Sequence, residues 1–479
     1  MKFNKLALCL VLLFAASTCF AQMYTVTDLG TLGGSRSEAH AINESGQVVG
    51  LSYTTGDTAY HAFRTAPNTP INPLTDDLGT LGGASSHAND INASGQVVGQ
   101  SLIGSNEIHA FRTAPNSPIN PATDDIGTLG GTWGSAAAIN DSGSVAGLSS
   151  ITGDQVWHAF RTAPNSPINP LTDDLSGFYG TNPEQTSAGG INASGQVVGS
   201  YWISVGGGGY AHAFRTAPNS PINPLTDDLG TLGGAWPGGA FSMATAINDV
   251  GQVVGESYTK YGDIHAFRTA PNRPINPATD DLSPLTGDWS IAYRINAFGD
   301  VVGYRNPDNA FLYTGGVMHD LNSLIQAGSG FQPERAYGIN DAGQIVGVGY
   351  GAHGNEMHAF LLTPIYKAFV RQPINADGSS VFSVKKGVVP VKFNLTQYNV
   401  ATCSLLPATI AITRTAGGTV GSIDESTYVT NADNGSDFRI DTNCQYVYNL
   451  GASSLGVGTY RVDISINGIM VGHAVFALK

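Results

Sequence analysis

Hydrophobic and polar positions in this chain alternate in short bursts broken by turn residues, and the same bursts return. INESGQVVG at 42–50 recurs as INASGQVVG (91–99), INDSGSVAG (139–147), INASGQVVG (191–199), INDVGQVVG (247–255), INAFGDVVG (295–303) and INDAGQIVG (339–347). Starts lie 44 to 56 residues apart, too long for one coil of a β-helix and within the range of a four-stranded propeller blade. Two further phrases keep step. His-Ala-Phe begins at 61, 109, 158, 212, 265 and 358, with Asn309 opening the remaining copy; DLGTLGG begins at 28, 77 and 228, with looser forms at 125, 174, 281 and 320.

Seven copies of three phrases predict seven equivalent units of four strands. Strand A ends at Ile-Asn, B carries Val-Val-Gly, C carries His-Ala-Phe, and D carries Asp-Leu-Gly-Thr-Leu. The A to B link, Asn-x-x-Gly as in Asn43–Gly46 and Asn92–Gly95, predicts a tight hairpin turn in which Gly takes positive φ. The last copy of C, at 358, has no D after it, whereas the chain has an orphan D at 24–32. The expected fold is therefore all-β: a seven-bladed β-propeller closed by its N-terminal strand, which removes open sheet edges.

Five C to D links are near-copies of RTAPNSPINPLTDD and hold 15 of the 24 prolines. That repetition exceeds what folding demands and predicts no chemistry. The Asp pairs ending them, such as Asp76–Asp77, read as turn and strand start rather than as calcium ligands, because calcium takes six to eight oxygens.

Composition agrees with strands and turns: charged residues are only 12% and glycine numbers 61. Residues 1–21, with Lys2 and Lys5 before an apolar run ending at Ala21, predict a secretory signal peptide; Cys19 fits a lipidation site poorly. No later run is apolar enough for a membrane helix. Removing the leader takes the formal charge from −14 to −16, which argues against nucleic-acid binding. Cys403 and Cys444 then stand alone in an oxidising compartment, and a disulfide between them is expected. The domain plan is a signal peptide at 1–21, the repeat unit at 22–365 and a C-terminal β-sandwich at 366–479.

The triad INxxGxVVG, HAF and DLGTLGG resembles the HAF-repeat family of probable extracellular bacterial proteins, across residues 24–363. The resemblance implies export and a propeller-like fold, and no catalytic residue. Pro390-Val391-Lys392-Phe393 and YRVDI at 460–464 resemble a PxKF-type domain, consistent with the alternation in the tail that suggests an immunoglobulin-like sandwich.

By strand order, A–B and C–D links share one face and the unlike B–C and D–A links share the other. All five tryptophans fall in or beside the second face, Trp157 at the end of a B–C link; Trp133, Trp202, Trp236 and Trp289, with Tyr201 and Tyr261, are the candidate ligand-binding residues for a glycan or a cell-surface protein. The alternative for each ring is to plug a gap between units. The HAF histidines, His61 and His109 among them, read as structural: one per unit keeps them apart, and Asn309 preserves hydrogen bonding but not metal affinity. No catalytic, metal or cofactor residue is nominated, and a monomer is expected. A carbohydrate-active hydrolase or lyase using Glu107, Glu184, Asp263, Asp288, Glu334 or Glu356 is the alternative.

Overall fold

In the computed structural model the described residues are 23–479 except 105–106, 177–184, 206–207, 235–239, 284–288, 308, 327, 352–355, 386, 398–399, 404–405, 418–430 and 467; the expected signal peptide, with Cys19, lies outside them. The chain is all-β. Helix among the described residues is limited to Pro224–Asp227, Ala452–Leu455 and the 3-10 turn Leu321–Ser323.

Each repeat contributes an antiparallel A–B–C sheet, the first being Gly33–Ile42, Val48–Thr54 and Tyr60–Arg64. The turn chemistry is as expected. Gly46 and Gly95 adopt φ of 85° and 81°, and each donates its N–H to the carbonyl of Asn43 or Asn92 three residues earlier. The closing Gly of the phrase is enforced by crowding, because a Cβ at Gly50 or Gly99 would lie 1.9 Å from a carbonyl oxygen of strand A. The N-terminal strand Tyr24–Gly30 pairs with Met357–Pro364, so the two ends of the repeat array share one four-stranded sheet.

Strand D differs from expectation. Among the described residues only Asp125–Gly127, Val317–Asp320 and Tyr24–Gly30 are D strands; in four repeats the described part of D is a single bridge, such as Phe63 to Asp77. In Asp-Leu-Gly-Thr the glycine turns the chain away, with φ near 70° at Gly30, Gly79 and Gly230. The fourth repeat departs in the opposite sense: its B and C strands extend over Val197–Val205 and Gly208–Arg215, so residues expected in a link are paired strand.

The repeated asparagine does more than shape a turn. Its Oδ1 accepts the N–H four residues on, and its Nδ2 donates to the backbone carbonyl of the next repeat's asparagine. These inter-repeat bonds run from Asn43 to Asn92, Asn140, Asn192, Asn248, Asn296 and Asn340, at 3.1–3.4 Å, and Asn340 donates back to Asn43. The circuit is closed, and all seven asparagines are buried.

Other constant residues also join neighbours. Ser37, Ser86, Thr186, Ser242 and Ser290 accept at 2.8–2.9 Å from a strand C alanine N–H of the preceding repeat. The proline links, expected to be idle, are stitches: buried Ile71, Ile119, Ile168, Ile222 and Ile275 each donate their N–H to the preceding D segment. Arg64, Arg112, Arg161 and Arg215 donate to the carbonyl of Ser117, Ser166, Ser220 and Arg273 in the next link. In the fifth repeat Arg268 donates instead to the Gly299 carbonyl in the turn of the sixth, and in the sixth and seventh repeats the equivalents are the buried Leu312 and Leu361.

The tail forms a five-stranded and a four-stranded sheet, and the Cys403–Cys444 disulfide is present. Its apolar residues join Tyr24, Leu312 and Leu362 in one cluster. Phe298 stands in a turn where other repeats carry Ser, Val or Ala. It stacks on His473 with centroids 3.7 Å apart and accepts from Arg461 at 2.6 Å, so this departure from the repeat holds the tail in place.

Asn248→Ala removes three bonds, leaving the Gln252 N–H without its acceptor and the Asn296 carbonyl with only the Gly299 N–H. It is expected to cost about 2–4 kcal/mol, read as a lower urea midpoint; a change under about 0.5 kcal/mol would remove the circuit from its structural role.

Candidate functional site

The register puts the aromatic candidates at the strand ends away from the Asn-x-x-Gly turns. Trp157 opens strand C opposite Ser150, and Trp202 lies late in strand B opposite Ala211. Trp133 and Trp289 stand at the start of strand A. Trp157, Trp202 and Trp289 are 40%, 45% and 44% exposed; Trp133 is half-buried, and Trp236 lies outside the described residues. Tyr261 is exposed, with Lys260 4.9 Å above its ring. Tyr201 is not a surface residue. It alternates with Trp202 along a paired strand, so its ring turns into a core cluster while its hydroxyl meets Asp228. Among the described residues no two tryptophans are in ring contact.

A second cluster lies on the inner A strands. Every A strand bulges at one residue before its Ile-Asn: His40, Asn89, Ala137, Gly189, Thr245, Tyr293 and Tyr337. Asn89 and Thr245 use the bulge to donate to a carbonyl of the next repeat, at 2.8 and 2.7 Å. Across repeats six, seven, one and two the rings run in series: Tyr293–Tyr337 at 5.0 Å, Tyr337–His40 at 5.5 Å and His40–His87 at 4.4 Å. Asp90 pairs with Arg294 at 2.8 Å although 204 residues separate them. Those two residues, with asparagines of the circuit, border a cavity of about 290 Å³ touched by all seven repeats. The sequence signal for this cluster is variation at the two positions between a constant alanine and the constant Ile-Asn of each repeat.

The circuit is rimmed by acids. Asp141, Asp249 and Asp341 accept the N–H of Ala93, Ala193 and Ala297 in the preceding repeat, and Glu44 accepts that of Asp341, at 2.8–2.9 Å. Burial pushes the Glu44 and Asp341 carboxyls up. Two further acids, Glu38 on strand A of the first repeat and Glu256 on strand B of the fifth, diverge much more. Burial alone raises Glu256 to about 7. Burial also pushes Glu38 upward, but bonds and charges from His40 and Arg36 outweigh it and hold Glu38 at about 2.

The Asp pairs have separate structural duties. The first, as in Asp76, accepts from the backbone of Asn72, and the second bonds the HAF histidine. His61, His109, His158, His212, His265 and His358 meet Asp77, Asp125, Asp174, Asp228, Asp281 and Asp28 through Nδ1 at 2.8–3.1 Å. In the sixth repeat, where Asn309 replaces histidine, Asp320 bonds Asn322 instead. Of the candidate acids, Glu107 and Glu356 lie 3.8 and 3.9 Å from separate HAF histidines, Glu334 is buried, and the Asp263 carbonyl accepts from Thr259. Glu184 and Asp288 lie outside the described residues.

The His61–Asp77 pair gives stability a pH window. The hydrogen bond to Asp77 raises His61 above its ordinary value against burial, so this contribution is full below about pH 6.5 and is lost as pH rises through the folded value. Burial pushes Asp77 up, but His61 and the Gly79 N–H hold it below its ordinary value, so its contribution is full above about pH 4 and is lost on acidification. Asp77→Asn is expected to bring the His61 titration, followed by NMR, to or below about 6.5; an unmoved titration would contradict the pairing.

Comparison with known proteins leaves the chain without a family. No family model and no curated protein matches it. Among solved structures it is similar to the BP39L lectin from Burkholderia pseudomallei, with TM-score 0.34 and 12% identity over 70% of this chain and 97% of that one. It is also similar to a chimeric titin Z1Z2 tandem, with TM-score 0.16 and 15% identity over 40% of this chain and 90% of that one.

Proposed function

We propose that residues 24–365 form a seven-bladed β-propeller closed by the first strand, that an immunoglobulin-like sandwich follows, and that the exported protein is a non-catalytic module binding a glycan or protein outside the cell. The ring reading is supported by the asparagine circuit that returns to Asn43 and by the pairing of Tyr24–Gly30 with the last repeat. The disulfide fits an oxidising compartment, as does the resemblance to the HAF-repeat family.

The binding reading is carried by one observation. Trp157, Trp202 and Trp289 keep 40% or more of their surface open although each stands in or directly beside a paired strand of a tightly bonded scaffold. A flat ring held by a rigid strand loses little entropy when it meets the apolar face of a sugar, and it excludes water from neighbouring hydrogen bonds. Replacing all three by alanine is expected to reduce retention on a polysaccharide panel at least tenfold while leaving the melting curve near that of the parent; unchanged retention would remove these rings from recognition.

The second reading, a carbohydrate-active enzyme, draws on the divergence of Glu256 and Glu38: one acid kept protonated near neutrality and one kept ionised is the division glycoside cleavage needs. The same panel decides it. Retention without release of soluble fragments is expected; release that Glu256→Gln abolishes would replace the binding reading with the enzymatic one.

A further inference from the structure

The sixth and seventh repeats bring an exposed tryptophan and a half-exposed arginine onto one buried tyrosine. Trp289, 44% exposed, meets the Tyr304 ring edge-on with centroids 6.0 Å apart, while Tyr304 itself is buried. Arg335 of the next repeat lays its guanidinium over the same ring at 5.3 Å. These two distances place the Trp289 ring and the cation no more than about 11 Å apart.

The arginine is paired but not enclosed. Its Nε makes a 3.5 Å ion pair with Glu334 Oε1 without a hydrogen bond, Tyr337 bonds its side chain, and that side chain stays 43% exposed. Tyr337 in turn begins the series of rings that passes through His40 to His87. An aromatic path therefore leads from an exposed tryptophan past a cation toward the inner strands.

The other exposed rings lack this partnership. Lys260 covers the face of the Tyr261 ring itself, and among the described residues Trp157 and Trp202 have no cation against them. A tryptophan face takes the apolar face of a pyranose, and a guanidinium offers parallel N–H donors that match a carboxylate. Both groups share one buried anchor, so neither must be ordered when a ligand arrives. On a chain with formal charge −14, an acidic polymer is repelled at long range, and at about 0.1 M salt that repulsion is screened beyond roughly 10 Å, leaving the local cation to decide.

We propose that Trp289 and Arg335 form a subsite for a carboxylated sugar, a uronate residue of an extracellular polysaccharide. The proposal rests on the glycan-binding reading and narrows it to one class. The full mature chain is to be passed over immobilised polygalacturonate and over a neutral dextran, at 0.1 M and 0.5 M salt. Retention on polygalacturonate is expected to exceed that on dextran and to weaken at the higher salt. Arg335→Gln is expected to lower it at least tenfold, Arg335→Lys to lower it less, and Trp289→Ala to lower it on both polymers. Melting curves of the variants matching the parent keep the comparison interpretable.

Equal retention on both polymers, or an Arg335→Gln variant that binds polygalacturonate as the parent does, would overturn the uronate subsite and leave the glycan reading standing. No retention of the parent on either polymer or on the wider panel would remove the glycan reading itself, and this proposal with it.

Discussion

One hydrogen bond, made seven times, organises this molecule: the side-chain amide of an asparagine in one repeat to the backbone carbonyl of the asparagine in the next. Each of these residues uses its Oδ1 to close its own turn and its Nδ2 to fix the neighbour, so local and long-range structure share one side chain. A repeat of some fifty residues exposes apolar surface on both faces of its sheet and cannot fold alone. The closed circuit gives every repeat a neighbour on each side, and the N-terminal strand covers the edge that the last repeat would leave open.

The departures from the repeat are explained by what each unit touches. Arg64, Arg112, Arg161 and Arg215 reach a carbonyl of the next link, Arg268 reaches the Gly299 carbonyl of the sixth turn, and Leu312 and Leu361 join apolar clusters instead. Phe298 replaces a small residue where the tail packs against the sixth turn. Asn309 takes the histidine slot in the repeat whose aspartate, Asp320, turns to Asn322. A carboxylate follows the asparagine in alternating repeats, where it satisfies an alanine N–H next door.

Much of this was legible in sequence. Hairpin turns, the seven-unit count and the pairing of an orphan D strand with the last C strand follow from phrase order, because turn chemistry and edge pairing are local or combinatorial. Tyr201 was misplaced for want of one fact, that the fourth hairpin runs on past Trp202; once the strand is paired, alternation sends the two rings to opposite faces. The stitching role of the proline links and the His40 to Tyr293 series depend on which residues meet between repeats. Composition is silent on that, although two variable positions between a constant alanine and the constant Ile-Asn lie there.

Two populations of residues result: those identical in every repeat, which bond repeat to repeat, and those that differ, which are left open at strand ends or line the inner strands. The claim beneath both is that the array closes on itself through its first strand. The most direct test joins Thr25→Cys to Thr363→Cys, residues directly opposite in that pairing. Mild oxidation should give a cross-link within one chain, seen as a faster-migrating monomer on non-reducing gels; disulfide-linked dimers, or two cysteines that stay reactive in the folded protein, would contradict closure.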